Sequence, residues 1–211
     1  MTDTSAPELV IFDVVGVLVH VDMSQAYALL GSRREAEAAD PAAVKAPFEG
    51  SKVMDAFERG QIDKPTLHRA IMAKIGADIP LDDFFAGWAA KIRGQFTPTA
   101  ALVEALHERA EVRVALLTNI TPILADWLRA RWPLFERLPH VFTSYEIGAR
   151  KPEPAAYRHV LDAMAVAPER AVMIDDHEPN LEGARALGMR TILAVEPAQI
   201  EADLRAMTLR W

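Results

Sequence analysis

The chain of 211 residues carries a formal net charge of −7 and is 51% hydrophobic, enough apolar material for one large domain or a core domain with a smaller one. Its basic residues are scattered, which argues against a nucleic-acid or anionic-membrane surface and leaves a small molecule as the expected partner. No cysteine is present, so disulfides, thiolate catalysis and cysteine metal sites are excluded. Residues 1–8 lack the basic and apolar segments of a signal peptide, and no apolar run approaches the roughly 18 residues of a membrane span. A cytoplasmic protein is expected. The oligomeric state is not legible.

Leu9 to Leu18 (LVIFDVVGVL) opens the pattern: an apolar, β-branched run delivers Asp13 to its end, and Gly16 follows three residues later. Such runs suit strands covered on both faces, and open α/β sheets bind ligands at the carboxyl ends of those strands. From Val19 to Thr97 no strand is predicted. Helices are expected over Met23–Leu30, Pro41–Ala46, Ser51–Arg59 closed by Gly60, Pro65–Ile75 closed by Gly76, and Leu81–Arg93. Leu67, Ile71 and Ile75 recur at the spacing of an amphipathic helix. A parallel crossover needs little more than a dozen residues, so this interval implies an inserted helical cap over 19–97, with 1–18 and 98–211 forming the core.

From Pro98 onward helices and strands alternate. Thr97 and Pro98 read as an N-cap and first helical position, with Leu102 and Leu106 on one face. Strands are predicted at Val112–Leu117, near Val141 and Phe142, at Ala171–Ile174 and at Thr191–Val195. The helices between them are Pro122–Trp132, Pro154–Ala165 and Leu181–Leu187, the last stopped by Gly188. This alternation predicts an α/β fold with a Rossmann-like parallel sheet and right-handed crossovers.

Three of these strands end in residues suited to a phosphate or a metal: Asp13, then Thr118 with Asn119, then Asp175 with Asp176. The strand near Val141 leads to a loop bearing Lys151. In a parallel sheet these ends share one edge and converge on one crevice. Taken singly, the Asp175–Asp176 pair could merely cap the next helix and Lys151 could be a solvated surface lysine. Three carboxylates in one crevice repel one another unless a cation is present, and magnesium takes oxygen ligands and substrate phosphate together. A cation, a lysine and a hydroxyl form an electrostatic clamp for a phosphoryl group, which Asp13 would attack to carry it as an aspartyl-phosphate.

FDVVGVL, LLTN, ARKPEP and MIDDHEPNLEGA resemble the four signature segments of the haloacid dehalogenase superfamily, in order and with a helical cap after the first. FERGQI, RKPEPAAY and DDHEPNLEGA resemble in particular the branch containing α-glucose-1-phosphate phosphatases and the N-terminal domains of epoxide hydrolases. The resemblance implies a magnesium-dependent phosphatase of a small phosphorylated metabolite, with Asp13 as nucleophile, Thr118 and Asn119 at the phosphoryl oxygens and Lys151 steadying the charge. It implies magnesium on Asp13, Asp175, Asp176 and the Val15 carbonyl, with Gly16 and Asn180 in supporting roles.

The sequence departs from this pattern at Val15, where phosphatases of the superfamily usually place a second aspartate that moves a proton. General acid–base assistance is worth roughly 10²- to 10⁴-fold. Its loss implies a slow enzyme or one restricted to easier leaving groups, such as the anomeric oxygen of a sugar 1-phosphate. His20, Asp22 and His177 are alternative proton carriers. A phosphate-binding protein without turnover and a phosphonoacetaldehyde hydrolase using Lys45 or Lys52 as a Schiff base remain as other readings; dehalogenation is disfavoured by the Asp175–Asp176 pair.

Overall fold

The computed structural model describes residues 6–22, 24, 51–89, 91–108, 111–207 and 209. Strand β1 (Leu9–Phe12) is wholly buried at the centre of a five-stranded sheet ordered β5-β4-β1-β6-β7. The other four are β4 (Arg113–Thr118), β5 (Val141–Thr143), β6 (Ala171–Asp175) and β7 (Arg190–Leu193). All neighbours pair in parallel, with Phe12 level with Leu116 on one side and Ile174 on the other.

Alternation along each strand divides the core in two. Val10, Phe12, Val114, Leu116, Val172 and Ile174 face one apolar cluster, while Leu9, Ile11, Ala115, Leu117, Ala171 and Met173 face another. A strand covered on both faces must be apolar at every position, which is why these segments read as continuous apolar runs. The first cluster is closed by α4 (Thr97–His107), α5 (Pro122–Arg131), α6 (Pro133–Arg137) and α10 (Pro197–Ala206); the second by α8 (Pro154–Met164) and α9 (Glu178–Arg185). A single turn of helix, α7 (Ser144–Ile147), follows β5. Among the described residues, no helix is long and apolar enough to cross a membrane.

Several expectations are corrected. The interval thought strand-free contains β2 (Val19–Val21) and β3 (Ile92–Gln95), which pair antiparallel as a small ribbon. The helix expected over Leu81–Arg93 therefore ends at Ala89 as α3 (Leu81–Ala89), because Ile92 onward pairs with a segment some seventy residues earlier. Three- and four-residue strands carry too little periodicity to be read locally. Helix α9 starts three residues before Leu181, with Pro179 in its first turn, so its amino end directly follows the Asp175–Asp176 pair. Helices α6, α7 and α10 were not anticipated. Helix α4 begins at Thr97 with Phe96 in the cap position, one residue earlier than expected and without a side-chain cap bond.

The helical insertion keeps its predicted signals. Helix α1 (Lys52–Glu58) is capped by Ser51 accepting from the Met54 amide, and α2 (Lys64–Ile75) by Asp63 accepting from the Thr66 amide, with left-handed Gly76 closing it. Leu67, Ile71 and Ile75 are buried with Met54, Phe57, Phe84 and Trp88 in a third cluster, which also takes in Ile123 of α5. The helices expected at Met23–Leu30 and Pro41–Ala46, and Lys45, lie outside the described residues.

Candidate active site

The sheet order places the ends of β4 and β6 on either side of β1, so Thr118, Asp13 and Asp175 are brought to one edge by strand pairing alone. The Asp13 amide donates to the Ile174 carbonyl at 2.9 Å, fixing the backbone where the strand ends. Its Oδ1 accepts from the Val14 amide at 2.7 Å and faces Lys151 Nζ at 2.9 Å. Lys151 Nζ also donates to Asp175 Oδ2 at 2.6 Å. One buried ammonium therefore stands between two buried carboxylates.

The backbone of Lys151 is held by a side chain. Asn119 accepts from the Lys151 amide at 2.9 Å and donates to its carbonyl at 2.8 Å, so the loop after β4 grips the loop after β5. Asp175 in turn accepts from the His177 amide at 2.9 Å and from Asn180 Nδ2, which is 3.0 Å from each carboxylate oxygen. With Lys151 these contacts occupy the acceptor sites of the Asp175 carboxylate. Tyr157, which sequence reasoning missed, donates its hydroxyl to the Asn180 carbonyl at 2.6 Å and supports that arrangement from α8. Its burial among core residues is the ordinary signal of packing, so nothing in the sequence singled it out.

Asp13, Asp175 and Asp176 each offer an oxygen within 4.8 Å of the others. Burial pushes the Asp13 carboxyl up from 3.8 to about 6, with Asp175 adding to the rise and Lys151 opposing it. Asp176 is the exposed member, and partial desolvation and the Asp175 charge raise it too. Such a cluster suits a divalent cation with hard oxygen ligands, which would offset the burial and, after it, the mutual repulsion that raise these carboxyls. Thr118 Oγ1 is buried with no hydrogen-bond partner among the described residues, a hydroxyl available to a substrate oxygen.

Gly16 has a positive φ of 91°, and a Cβ built there would stand 2.0 Å from Asp176 Oδ2 and 2.4 Å from its Cγ. Its part is thus larger than the expected turn: the Asp176 carboxylate occupies the space a side chain would need. Val15 lies in the same turn, bridges to Val19 and packs partly against the core. The alternative proton carriers differ in their surroundings, and His177 is the one whose charge acts on Asp176. Exposed His20 lies against Phe96, and Asp22 pairs with Arg93 at 2.9 Å, while His177 is exposed on the solvent side. Lys52 is exposed, unlike the desolvated amine a Schiff base requires. Among the described residues Lys91 is the buried lysine of the insertion, beside the Trp88 ring at 4.5 Å, and its burial lowers it to about 8.

A family model described as haloacid dehalogenase-like hydrolase matches residues 7–188. The chain is 34% identical to a phosphoserine phosphatase of Thermus thermophilus over 119 residues, 54% of this chain and 48% of that one. It is 22% identical over 193 residues to a D-ribitol-5-phosphate phosphatase of Bacteroides thetaiotaomicron, covering 86% and 89% of the two chains. For three of the curated matches the chain spans between 14% and 48% of the relative's own length. In structure it superposes on a HAD family enzyme of Bacteroides thetaiotaomicron, solved with magnesium and inorganic phosphate, with a TM-score of 0.78 and 21% identity over 90% of this chain and 95% of that one. The strand order and the match across 7–188 agree: the chain belongs to the haloacid dehalogenase-like hydrolases.

Proposed function

We propose that the protein is a magnesium-dependent phosphatase of a small phosphorylated metabolite, working through an aspartyl-phosphate on Asp13. The observation that carries this reading is that Asp13 faces Lys151 at 2.9 Å while Thr118, whose buried hydroxyl has no hydrogen-bond partner among the described residues, ends the neighbouring strand. An Asp13 oxygen attacks phosphorus, the bond to the leaving oxygen breaks, and water later attacks the same phosphorus to release phosphate and restore the carboxylate. Thr118 donates to a phosphoryl oxygen, Lys151 holds Asp13 ionised and offsets charge at the transferring group, and Asn119 fixes Lys151. Asp13, Asp176 and the Val15 carbonyl, with Asp175 beside them, would hold magnesium, which would supply further charge neutralisation at the phosphoryl group. Asp175 contributes chiefly by seating Lys151 and Asn180. The helical insertion over 19–97 is assigned as the cap that selects the substrate.

Val15 cannot protonate a leaving oxygen, so the reading extends to substrates whose leaving group departs unaided. A sugar 1-phosphate is one, and the relatives named phosphoserine phosphatase and D-ribitol-5-phosphate phosphatase support phosphatase activity in general. The test is release of inorganic phosphate, with and without magnesium, from 4-nitrophenyl phosphate, glucose 1-phosphate and glucose 6-phosphate. Magnesium-dependent release favouring the aryl and 1-phosphates is expected. Equal rates on the two glucose phosphates would remove the sugar 1-phosphate assignment, and no release from any substrate, with phosphate still bound, would favour the second reading of a phosphate binder, which Val15 motivates.

The Gly16 geometry yields a sharper expectation. Gly16→Ala forces Asp176 out of its position while leaving every carboxylate in the chain, and it strains a left-handed backbone by roughly 1–2 kcal/mol. Magnesium affinity measured by titration calorimetry should fall about 10- to 100-fold, the usual effect of disturbing a ligand's support. Unchanged affinity would show that Asp176 does not hold the ion.

A further inference from the structure

The phosphoryl chemistry above makes no use of the charge cluster joining α1 of the insertion to the loop that carries Lys151. Arg150, the residue before Lys151, sends Nη1 to Asp55 Oδ1 at 2.7 Å and Nη2 to Glu58 Oε2 at 2.8 Å. Arg59 places Nε on Asp55 Oδ2 at 2.8 Å and Nη1 on Glu153 Oε2 at 2.8 Å, with a second contact from Nη2 to Glu153 Oε1. Glu153 Oε2 also accepts from the Arg150 amide at 3.4 Å, so the two arginines and three carboxylates are one network with members from both sides. At its edge the end of α1 is pressed on the core: a Cβ on Gly60 would stand 2.3 Å from the Tyr145 carbonyl oxygen.

Isolated exposed ion pairs contribute little, but this is a network of five charged groups in which only Asp55 and Glu153, at 41% and 40%, are well exposed. The side chains of Arg59, Glu58 and Arg150 are 19%, 21% and 29% exposed. Desolvation raises the Glu58 carboxyl, with Arg150 and Lys91 opposing the rise. The placement matters because Lys151 has a long, flexible side chain whose Nζ must meet Asp13 and Asp175 at once, at 2.9 and 2.6 Å. Asn119 holds both backbone polar groups of Lys151, its amide and its carbonyl. That amide lies in the peptide joining Lys151 to Arg150, whose guanidinium is pinned on α1.

We propose that Arg150 is a positioning residue: helix α1 holds it through Asp55 and Glu58, and its peptide link to Lys151 sets the Lys151 ammonium between Asp13 and Asp175. Docking of the insertion and assembly of the catalytic lysine are thereby one event. For its effect on turnover this rests on the phosphatase reading; for its effect on Lys151 it does not.

The test uses the full chain carrying Asp55→Asn, Glu58→Gln and Arg150→Met together, which dissolves the cluster on Arg150 without leaving Glu58 or Arg150 charged and unpaired. Two quantities are read in protein shown to be folded by circular dichroism: reductive methylation of Lys151 followed by mass spectrometry in the absence of magnesium, and kcat and KM on 4-nitrophenyl phosphate with magnesium. Misplacing a reacting group by about an ångström costs about a hundredfold, so kcat is expected to fall tenfold or more with KM within about threefold. Lys151, protected in the wild type, should be methylated about ten times faster, and Arg150→Lys alone should retain part of both properties. A folded triple variant whose Lys151 stays protected, or one that exposes Lys151 yet keeps wild-type kcat, overturns the inference. Should the triple variant not fold, Glu58→Gln, which leaves Arg150 on Asp55, decides by the same two readings with smaller changes. Absence of magnesium-dependent hydrolysis in the wild type overturns the phosphatase reading alone, and Lys151 protection then decides the inference by itself.

Discussion

Asp13→Asn should reduce magnesium-dependent phosphate release by roughly 10³-fold or more while leaving the fold intact, because the amide removes the nucleophile and one carboxylate of the metal cluster but keeps the side chain's shape. The amide oxygen can still accept from Val14 and Lys151, and Lys151 keeps Asp175 at 2.6 Å, so no buried cation is stranded. Without metal the variant should be at least as stable as the wild type. Burial moves the Asp13 carboxyl from 3.8 to about 6, which corresponds to an upper bound on the order of 3 kcal/mol against its charged form. The sign follows from proton binding. Between those two values the folded state binds more protons than the unfolded one, so the group's contribution to stability is lost as pH rises through the folded value. An asparagine has no such dependence, and its advantage should show at pH 8 and fade by pH 4. Urea denaturation at both pH values, alongside phosphate release, checks this. A variant that is inactive and also several kcal/mol less stable at pH 8 would mean that Asp13 holds the site together and that its loss says nothing about a nucleophile.

The convergence of Asp13, Thr118, Lys151 and the Asp175–Asp176 pair was legible because strand ends can be read from buried apolar runs, and a parallel sheet then brings those ends together whatever lies between them. Gly16 was legible as a turn and not as the space for Asp176, since the approach joins residues 160 positions apart in sequence and only coordinates reveal it. Strands β2 and β3 were missed for a related reason: each is stabilised by the other across the insertion and neither carries enough alternation to declare itself. Arg150 and Glu58 sit in segments already noted for their family resemblance, ARKPEP and FERGQI. That they touch is a fact of docking between α1 and the core, which no local pattern encodes. Ile123 shows the same limit, an apolar residue on a core helix that completes the cluster of the insertion instead.

Lys151→Met should cost both stability and activity, which separates it from Asp13→Asn. The lysine side chain is 0% exposed, and methionine fills its volume without its charge, so Asp13 and Asp175 are left facing one another in the interior. Removing one partner of a buried ion pair typically destabilises by about 3–5 kcal/mol, because the remaining charge stays desolvated and unpaired. Asp175 retains Asn180 and the His177 amide, so the strain falls mainly on Asp13, whose carboxyl already sits at about 6 and loses the lysine that was lowering it. It therefore rises further. A carboxyl raised in the folded state stabilises the fold only while protonated, so the deficit against the wild type should be small near pH 5 and full at pH 8. Magnesium binds only the folded site and should return about 2.7 kcal/mol at a hundred times its dissociation constant. It should not return turnover, since Asp13 without Lys151 is a poorer nucleophile beside a phosphoryl group whose charge is less well offset. Denaturation at pH 5 and pH 8, with and without magnesium, reads all of this in one series. A variant within about 1 kcal/mol of the wild type at pH 8 without metal would mean the carboxylates find another way to be neutralised, and that Lys151 is not what allows them to be buried together.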